Sequence, residues 1–514
     1  MLNWVMRERD AGVGALDTAS AWVLGSTGGA TYTAARFFFL RALGVIYLIA
    51  FLSFWVQAKG LIGSGGIAPV ASFLDGIRTY LGPARWRIVP TVFWWDASDS
   101  TLGVVCGLGV LAAVLLIADV APVFALALLW VLYLSIVSVG QDFMSFQWDA
   151  LLLEAGFLAI WVAPAGLKPQ MGSPVSPTML VLLWWLLFRL SFQSGLVKLT
   201  WGDPTWRDLS ALDVHFYTQP LPTWTAWYAQ QLPMWCKRGA AALTLVLEIV
   251  VPFLFFGPKP LRLVACAGTI FLQVMIFATG NYTFFNLLTI ALALLLVDDR
   301  TWAAVLPARL AQALAAVPTT PAGGAAWVRA AVGIGLFVLS CGKFWLNLSP
   351  GRSLPVPMIR AMAWTDPFRS VNSYGLFRVM TTTRTEIVVE GSDDGIDWKT
   401  YEFRYKPGDP LSRPGFVEPH QPRLDWQMWF AALSGPEGAP WFGAFVARLL
   451  RGAPAVLGLL KTNPFPDHPP RFIRAQAYDY HFTGGVERRA SGAWWTRTLM
   501  GPYLPPVSLD RSAR

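Results

Sequence analysis

Charged and amide side chains inside apolar runs are the residues here with the most chemistry to offer. A polar group costs free energy in hydrocarbon and is retained there by a partner or a task. The segment QDFMSFQWDALLLEAGFLAI carries Gln147, Asp149 and Glu154. Gln147 and Glu154 are seven positions apart and share a helical face. In the next apolar run Arg189 and Gln193 are four apart on one face, and Lys198 follows near its end. A Glu154–Arg189 ion pair would satisfy both charges and clamp two helices. Two readings stand together: a packing salt bridge, or a polar-lined cavity serving a lipid headgroup or a proton path. Asn281 and Asn286, in GNYTFFNLLTI, sit at the entry of a further apolar run, where amides bond neighbouring helices. Asn281-Tyr-Thr283 fits the glycan-acceptor pattern, but in so short a loop beside the membrane no modification is expected.

The block RPGFVEPHQPRLDWQMWF brings His420, Gln421, Arg423, Asp425 and Trp426 within seven residues, and Pro419 and Pro422 hold it extended. Arg and Trp are strong interface anchors, so the block suits recognition of a partner chain. It suits equally an inward tie between a polar domain and a membrane bundle, and catalysis is a third reading. Soluble-enzyme signatures are missing: no G-x-S-x-G, no Walker A loop, no G-x-G-x-x-G opening a helix and no H-E-x-x-H. His215, His420, His468 and His481 stand far apart. No catalytic set, cofactor or metal site is therefore expected. Cys106, Cys236, Cys266 and Cys341 lie in or beside apolar runs without a C-x-x-C, which argues against dithiol exchange.

These residues need a membrane scaffold. Of 514 residues, 55% are hydrophobic and 14% charged, and the mean hydropathy is +0.47. Soluble domains carry about a quarter charged residues, so an ordinary globular enzyme is excluded. The net charge of +9 comes without a basic run or aromatic–basic alternation, so no nucleic-acid partner is expected; the cations suit loops and anionic headgroups. A bilayer core of about 30 Å takes roughly 20 helical residues. Candidate spans fall near 36–56, 102–118, 121–139, 149–163, 178–199, 239–256, 262–279, 283–297 and 328–346, and those at 149–163 and 283–297 are short. The N-terminal segment, 1–35, has no apolar core with a cleavage site and does not read as a signal peptide. Residues 36–348 form the transmembrane helical domain. From about 349 the composition turns polar, and TEIVVEGSDDGIDWKTYEFRYK alternates in strand fashion around an Asp-Asp-Gly turn signal. Residues 349–485 are predicted as an extramembrane, β-sandwich-like domain with amphipathic helices over 425–460, and 486–514 as a tail. The fold class is thus an α-helical multi-pass membrane protein of about nine spans with a polar, β-rich C-terminal domain.

Three strings in that domain are long and specific: NSYGLFRVMTTTRTEIVVEGSDDG, KPGDPLSRPGFVEPHQPRLDWQMWFAAL and NPFPDHPPRFIRAQAYDYHFT. Together, in order, they resemble the C-terminal signature of the lipase maturation factor family. The resemblance implies a chaperone-like, non-catalytic membrane protein that assists folding of secreted or exported proteins. A lipase is the client it names, with membrane lipids as the other partners. It places eukaryotic relatives in the endoplasmic reticulum membrane. The N-terminus and charge pattern of this chain suggest a bacterial member, in the inner membrane with a periplasmic C-terminal domain. A second resemblance covers WDALLLEAG and FRLSFQSGLVKLTWGDPTW, which are similar to vitamin K-dependent γ-carboxylase-like proteins. That would imply an enzyme acting on a quinone or lipid, with Lys198 or Glu154 as base.

Overall fold

The computed structural model describes residues 30–315, 323–348 and 351–509; the reading of the first 29 residues lies outside them. The apolar helices are α1 (Thr33–Ile62), α2 (Asp99–Ile117), α3 (Pro122–Val139), α4 (Gln147–Val162), α5 (Pro177–Thr200), α6 (Met234–Phe256), α7 (Lys259–Thr279), α8 (Phe285–Leu294) and α9 (Gly323–Asn347). Seven are long and apolar enough to cross a membrane. The exceptions are α4, with 16 residues, and α8, with 10, the two predicted to be short.

Connectivity shows what the short helices do. Beyond the end of α1, Ser64 N donates to Asp99 of α2 at 2.8 Å, so both ends share one face of the bundle. At the opposite face Arg41 pairs with Asp119 at 2.7 Å. There Pro122 opens α3 after a tight turn. α4 begins on the first face, where Gly375 N donates to Gln147 Oε1 at 3.2 Å. Its far end returns to the α2–α3 corner, where Ala121 N donates to Leu167 O at 2.9 Å. α8 likewise starts beside residues 415–418 and leads to Asp299, which accepts from Thr33 N and Ala34 N at the start of α1. Among the described residues the chain therefore passes along the bundle nine times, seven of the passes being long and apolar enough to cross a membrane, and its C-terminal domain lies opposite the start of α1.

That domain is one antiparallel sheet of β1 (Thr385–Ser392), β2 (Lys399–Tyr401), β3 (Phe472–Phe482) and β4 (Trp495–Val507), in the order β2-β1-β3-β4. Glu386 pairs with Tyr478, and Val389 with both Ala475 and Tyr401. The predicted turn joins β1 to β2: Gly395 takes φ +78°, and Asp394 Oδ1 accepts from Ile396 N and Asp397 N. Where a sandwich would place a second sheet, helices α10 (Arg423–Ser434) and α11 (Pro440–Leu450) cover the face. Ile387, Val389 and Ala475 join Phe445, Leu449 and the α1–α5 interior in a single apolar core. The stretch 486–514, read from the sequence as a tail, instead supplies β4. Its prolines, Pro502 among them, are tolerated because β4 is an edge strand with register shifts against β3.

Candidate functional site

The polar residues of α4 and α5 converge on the C-terminal domain. Glu154 and Arg189 form the predicted ion pair, each 2% exposed. The pair is also a socket. Glu154 Oε2 accepts from Asn372 N at 2.7 Å, Asn372 Nδ2 at 3.1 Å and Tyr374 Oη at 2.7 Å. Arg189 Nη1 donates to Asn372 O at 3.0 Å. Gln193 Oε1 receives Tyr374 N at 3.4 Å, and Gln147 receives Gly375 N. The Asn372-Ser-Tyr374 segment thus plugs into charge buried in the bundle.

One turn earlier on α4, Asp149 takes a bidentate pair from Arg423, both contacts 2.8 Å, and a bond from Tyr133 Oη. Arg423 Nη1 also donates to Phe143 O at 2.6 Å. The preceding residues lie along α1. His420 Nδ1 meets Ser53 Oγ at 2.9 Å, Gln57 Nε2 donates to Gln421 O at 2.6 Å, and Arg423 N donates to Gln57 Oε1 at 3.0 Å. Asp425 accepts from Tyr405 N and Lys406 N at 2.9 Å. Trp426 packs edge-on to Trp148 and Tyr282. Gln421, Arg423, Asp425 and Trp426 are buried and His420 half-buried. The block is thus packed inside the chain, with the side-chain amide of Gln421 and the indole N–H of Trp426 buried without a hydrogen-bond partner among the described residues. Burial pushes Asp425 up to about 6; burial, then Arg423, pushes His420 down to about 4.

Two further ties join the sheet domain to the bundle, and of their residues the sequence singles out Asn281 but not Arg384. Arg384 of the segment entering β1 donates to the carbonyls of Tyr217, Gln219 and Pro220. It also pairs at 2.6 Å with Glu386, which holds Lys406 at 2.8 Å. Asn281 satisfies all its bonds, donating to Leu221 O and Gly415 O and accepting from Val417 N and Glu418 N. Its amide is 2% exposed and bonded throughout. Glu418 accepts from Tyr282 N, and burial pushes its carboxyl up to about 9. Asn286 is fully buried on α8, and neither of its amide atoms has a partner among the described residues.

Lys198 meets Glu248 of α6 at 2.5 Å. The two bases that the γ-carboxylase-like resemblance would use are thus both held in buried ion pairs. Between α4, residues 375–381 and α10 lies a cleft of about 460 Å³. Phe146, Trp148, Tyr282, Phe377, Trp426 and Phe430 wall it, and among the described residues Arg378 is its only charged lining residue. Phe430 and Val379 are exposed. No group of three or more His, Cys, Asp or Glu able to hold a metal occurs among the described residues.

A helical bundle with seven helices long and apolar enough to cross a membrane, carrying a sheet domain locked to one face, defines a multi-pass integral membrane protein. Residues 34–304 match the lipase maturation factor transmembrane domain, and 370–505 the lipase maturation factor C-terminal domain. The chain is 38% identical to lipase maturation factor 2 of Gallus gallus, over 92% of this chain and 81% of that protein. It is 35% identical to lipase maturation factor 1 of Bos taurus, over 93% and 90%, and 36% identical to the Homo sapiens lipase maturation factor 2, over 92% and 82%. No solved structure matches. The chain belongs to the lipase maturation factor family, and the γ-carboxylase-like alternative finds no support.

Proposed function

We propose that this protein assists the folding of an exported client, a secreted lipase being the chemistry suggested by the relatives' names, without turning over a small molecule. One observation carries the reading. The sheet domain is fixed at the membrane by buried polar ties, at Glu154, Asp149 and Arg384, which leave an aromatic-walled cleft open at the junction. A rigid platform with an apolar cleft at headgroup level suits transient cover for a partly folded chain whose apolar surface would otherwise aggregate. The His420–Trp426 block acts in this reading by holding that platform in place. We place the C-terminal domain on the exported side, the periplasm for a bacterial inner-membrane member, with the beginning of α1 at the cytoplasmic face.

Co-expression with a secreted lipase tests this: the active fraction of secreted lipase should rise several-fold, and Phe430→Asp with Val379→Asp, in the cleft, should remove the gain. Unchanged lipase activity with and without the protein would overturn it. Alkaline phosphatase fused after Arg514 should be active; a fluorescent cytoplasmic reporter at that position would overturn the orientation.

A further inference from the structure

We propose that a second cavity, inside the membrane bundle, binds the hydroxyl group of a neutral lipid. The cavity, of about 60 Å³, lies between α5, α6, α7 and α8, room for a hydroxyl with a carbon or two. Lys198, Glu248, Gln273, Thr269, Thr289 and Tyr282, with Ser191 and Ser194, supply its polar lining. Lys198 Nζ donates to Glu248 and to Ser194 O at 3.1 Å, which leaves one of its three protons for a ligand acceptor. Thr289 gives its proton to Phe285 O at 3.0 Å, and Tyr282 gives its own to Gln219 Oε1 at 2.9 Å. Gln273 is 7% exposed, and its Oε1 has no donor among the described residues. The site therefore presents both donors, the Lys198 ammonium among them, and acceptors, Gln273 Oε1 among them, which a group that both donates and accepts would complete.

Charge narrows the class. Lys198 and Glu248 already neutralise each other, so a phosphate or ammonium headgroup would add an uncompensated charge inside hydrocarbon. A hydroxyl adds none. The local backbone is built around this spot: Val246–Val250 is a π-helical turn within α6 that carries Glu248, a distortion often found at functional positions. A Cβ on Gly195 would come within 2.6 Å of Ile249 and 2.8 Å of Glu248, so glycine lets α5 close on that turn.

The apolar remainder of the ligand has a surface to lie on. In α6 and α7, 28% and 33% of the apolar window is buried, against 72% in α5. Val246, Val250, Phe271, Val274 and Met275 face outward. The same hydroxyl chemistry belongs to an acylglycerol or a sterol.

The test uses the full chain in phosphatidylcholine nanodiscs carrying photoactivatable diacylglycerol, photoactivatable cholesterol or photoactivatable phosphatidylcholine. At least one hydroxyl lipid should form adducts concentrated on peptides covering 246–250 and 269–276, and excess unlabelled lipid of the same kind should suppress them. Which lipid does so identifies the source. Gln273→Leu should lower these adducts about fivefold, the effect of one lost hydrogen bond, and Thr269→Leu, which fills the cavity, should do the same. Adducts spread evenly over the outer helices, equal labelling of these peptides by phosphatidylcholine, or undiminished labelling in both variants would overturn the proposal. The assay contains no client, so its outcome is separate from that of the folding role.

Discussion

Helices α4 and α6 both carry carboxylates into apolar surroundings, yet they use them differently. On α4, Asp149 and Glu154 are well satisfied: each has an arginine, Asp149 adds the Tyr133 hydroxyl, and Glu154 adds Asn372 and Tyr374 from the C-terminal domain. On α6, Glu248 has Lys198 and a cavity beside it. A buried ion pair recovers its desolvation cost only when geometry is good and the remaining lone pairs are met. By that standard the α4 acids lock two domains together, whereas the α6 pair lines a space.

The largest effect should come from breaking the lock. Arg423→Met strands Asp149 in the interior and should destabilise the protein by about 3–5 kcal/mol, read by unfolding in mixed micelles and by protease release of the sheet domain. The paired replacement sharpens the contrast. Lys198→Met with Glu248→Leu should leave stability within about 1 kcal/mol of wild type or raise it, since apolar isosteres often match a buried pair. Asp149→Leu with Arg423→Met should still cost about 2–3 kcal/mol, because the Phe143 carbonyl and the Tyr133 hydroxyl lose their partner. Equal behaviour of the two double variants would erase the distinction between lock and lining.

The same contrast marks what the sequence could tell. Glu154 and Arg189 were legible as a pair because they sit on consecutive spans, 35 residues apart. Arg423 and Asp149 are 274 apart, and no local spacing connects them. Interface anchors and internal ties draw on the same residues, Arg, Trp and His, so composition alone leaves the role of the 420–426 block open, and its burial becomes visible only in the fold. Ser53 and Gln57, which receive that block, did carry a signal, being polar residues four apart on one face of α1. β4 escaped because its prolines argue against a strand except at an edge. The short spans were visible as length, but their role as return passes depends on which ends meet.

Titration tests the junction with smaller steps. Glu418, held neutral by burial with a folded value of about 9, has its value raised on folding. Its contribution is fully present below the ordinary carboxylate range and is lost as pH rises toward 9. His420 has the opposite sense: its folded value of about 4 means stability present above about 6.5 and lost as pH falls toward 4. Asp425, raised to about 6, opposes His420 in that lower window. Between pH 6.5 and 9 Glu418 is therefore the group of these three that titrates. Stability should decline there by up to about 1.4 kcal/mol per unit, and Glu418→Gln should flatten the slope. A slope unchanged in that variant would place the titration elsewhere.

The smallest effect probes how redundant the lock is. Tyr374→Phe removes one hydroxyl from Glu154 while leaving both Asn372 donors and Arg189 in place. Hydrogen bonds to charged groups contribute about 1.5–3 kcal/mol. Here the carboxylate keeps other donors on the same oxygen, so the loss should fall at the lower end, about 1–2 kcal/mol, with the sheet domain still protease-resistant. A loss as large as that of Arg423→Met would mean that Tyr374 is the chief determinant of the socket. In that case the ion pair beneath it would count, like Lys198–Glu248, as lining rather than lock.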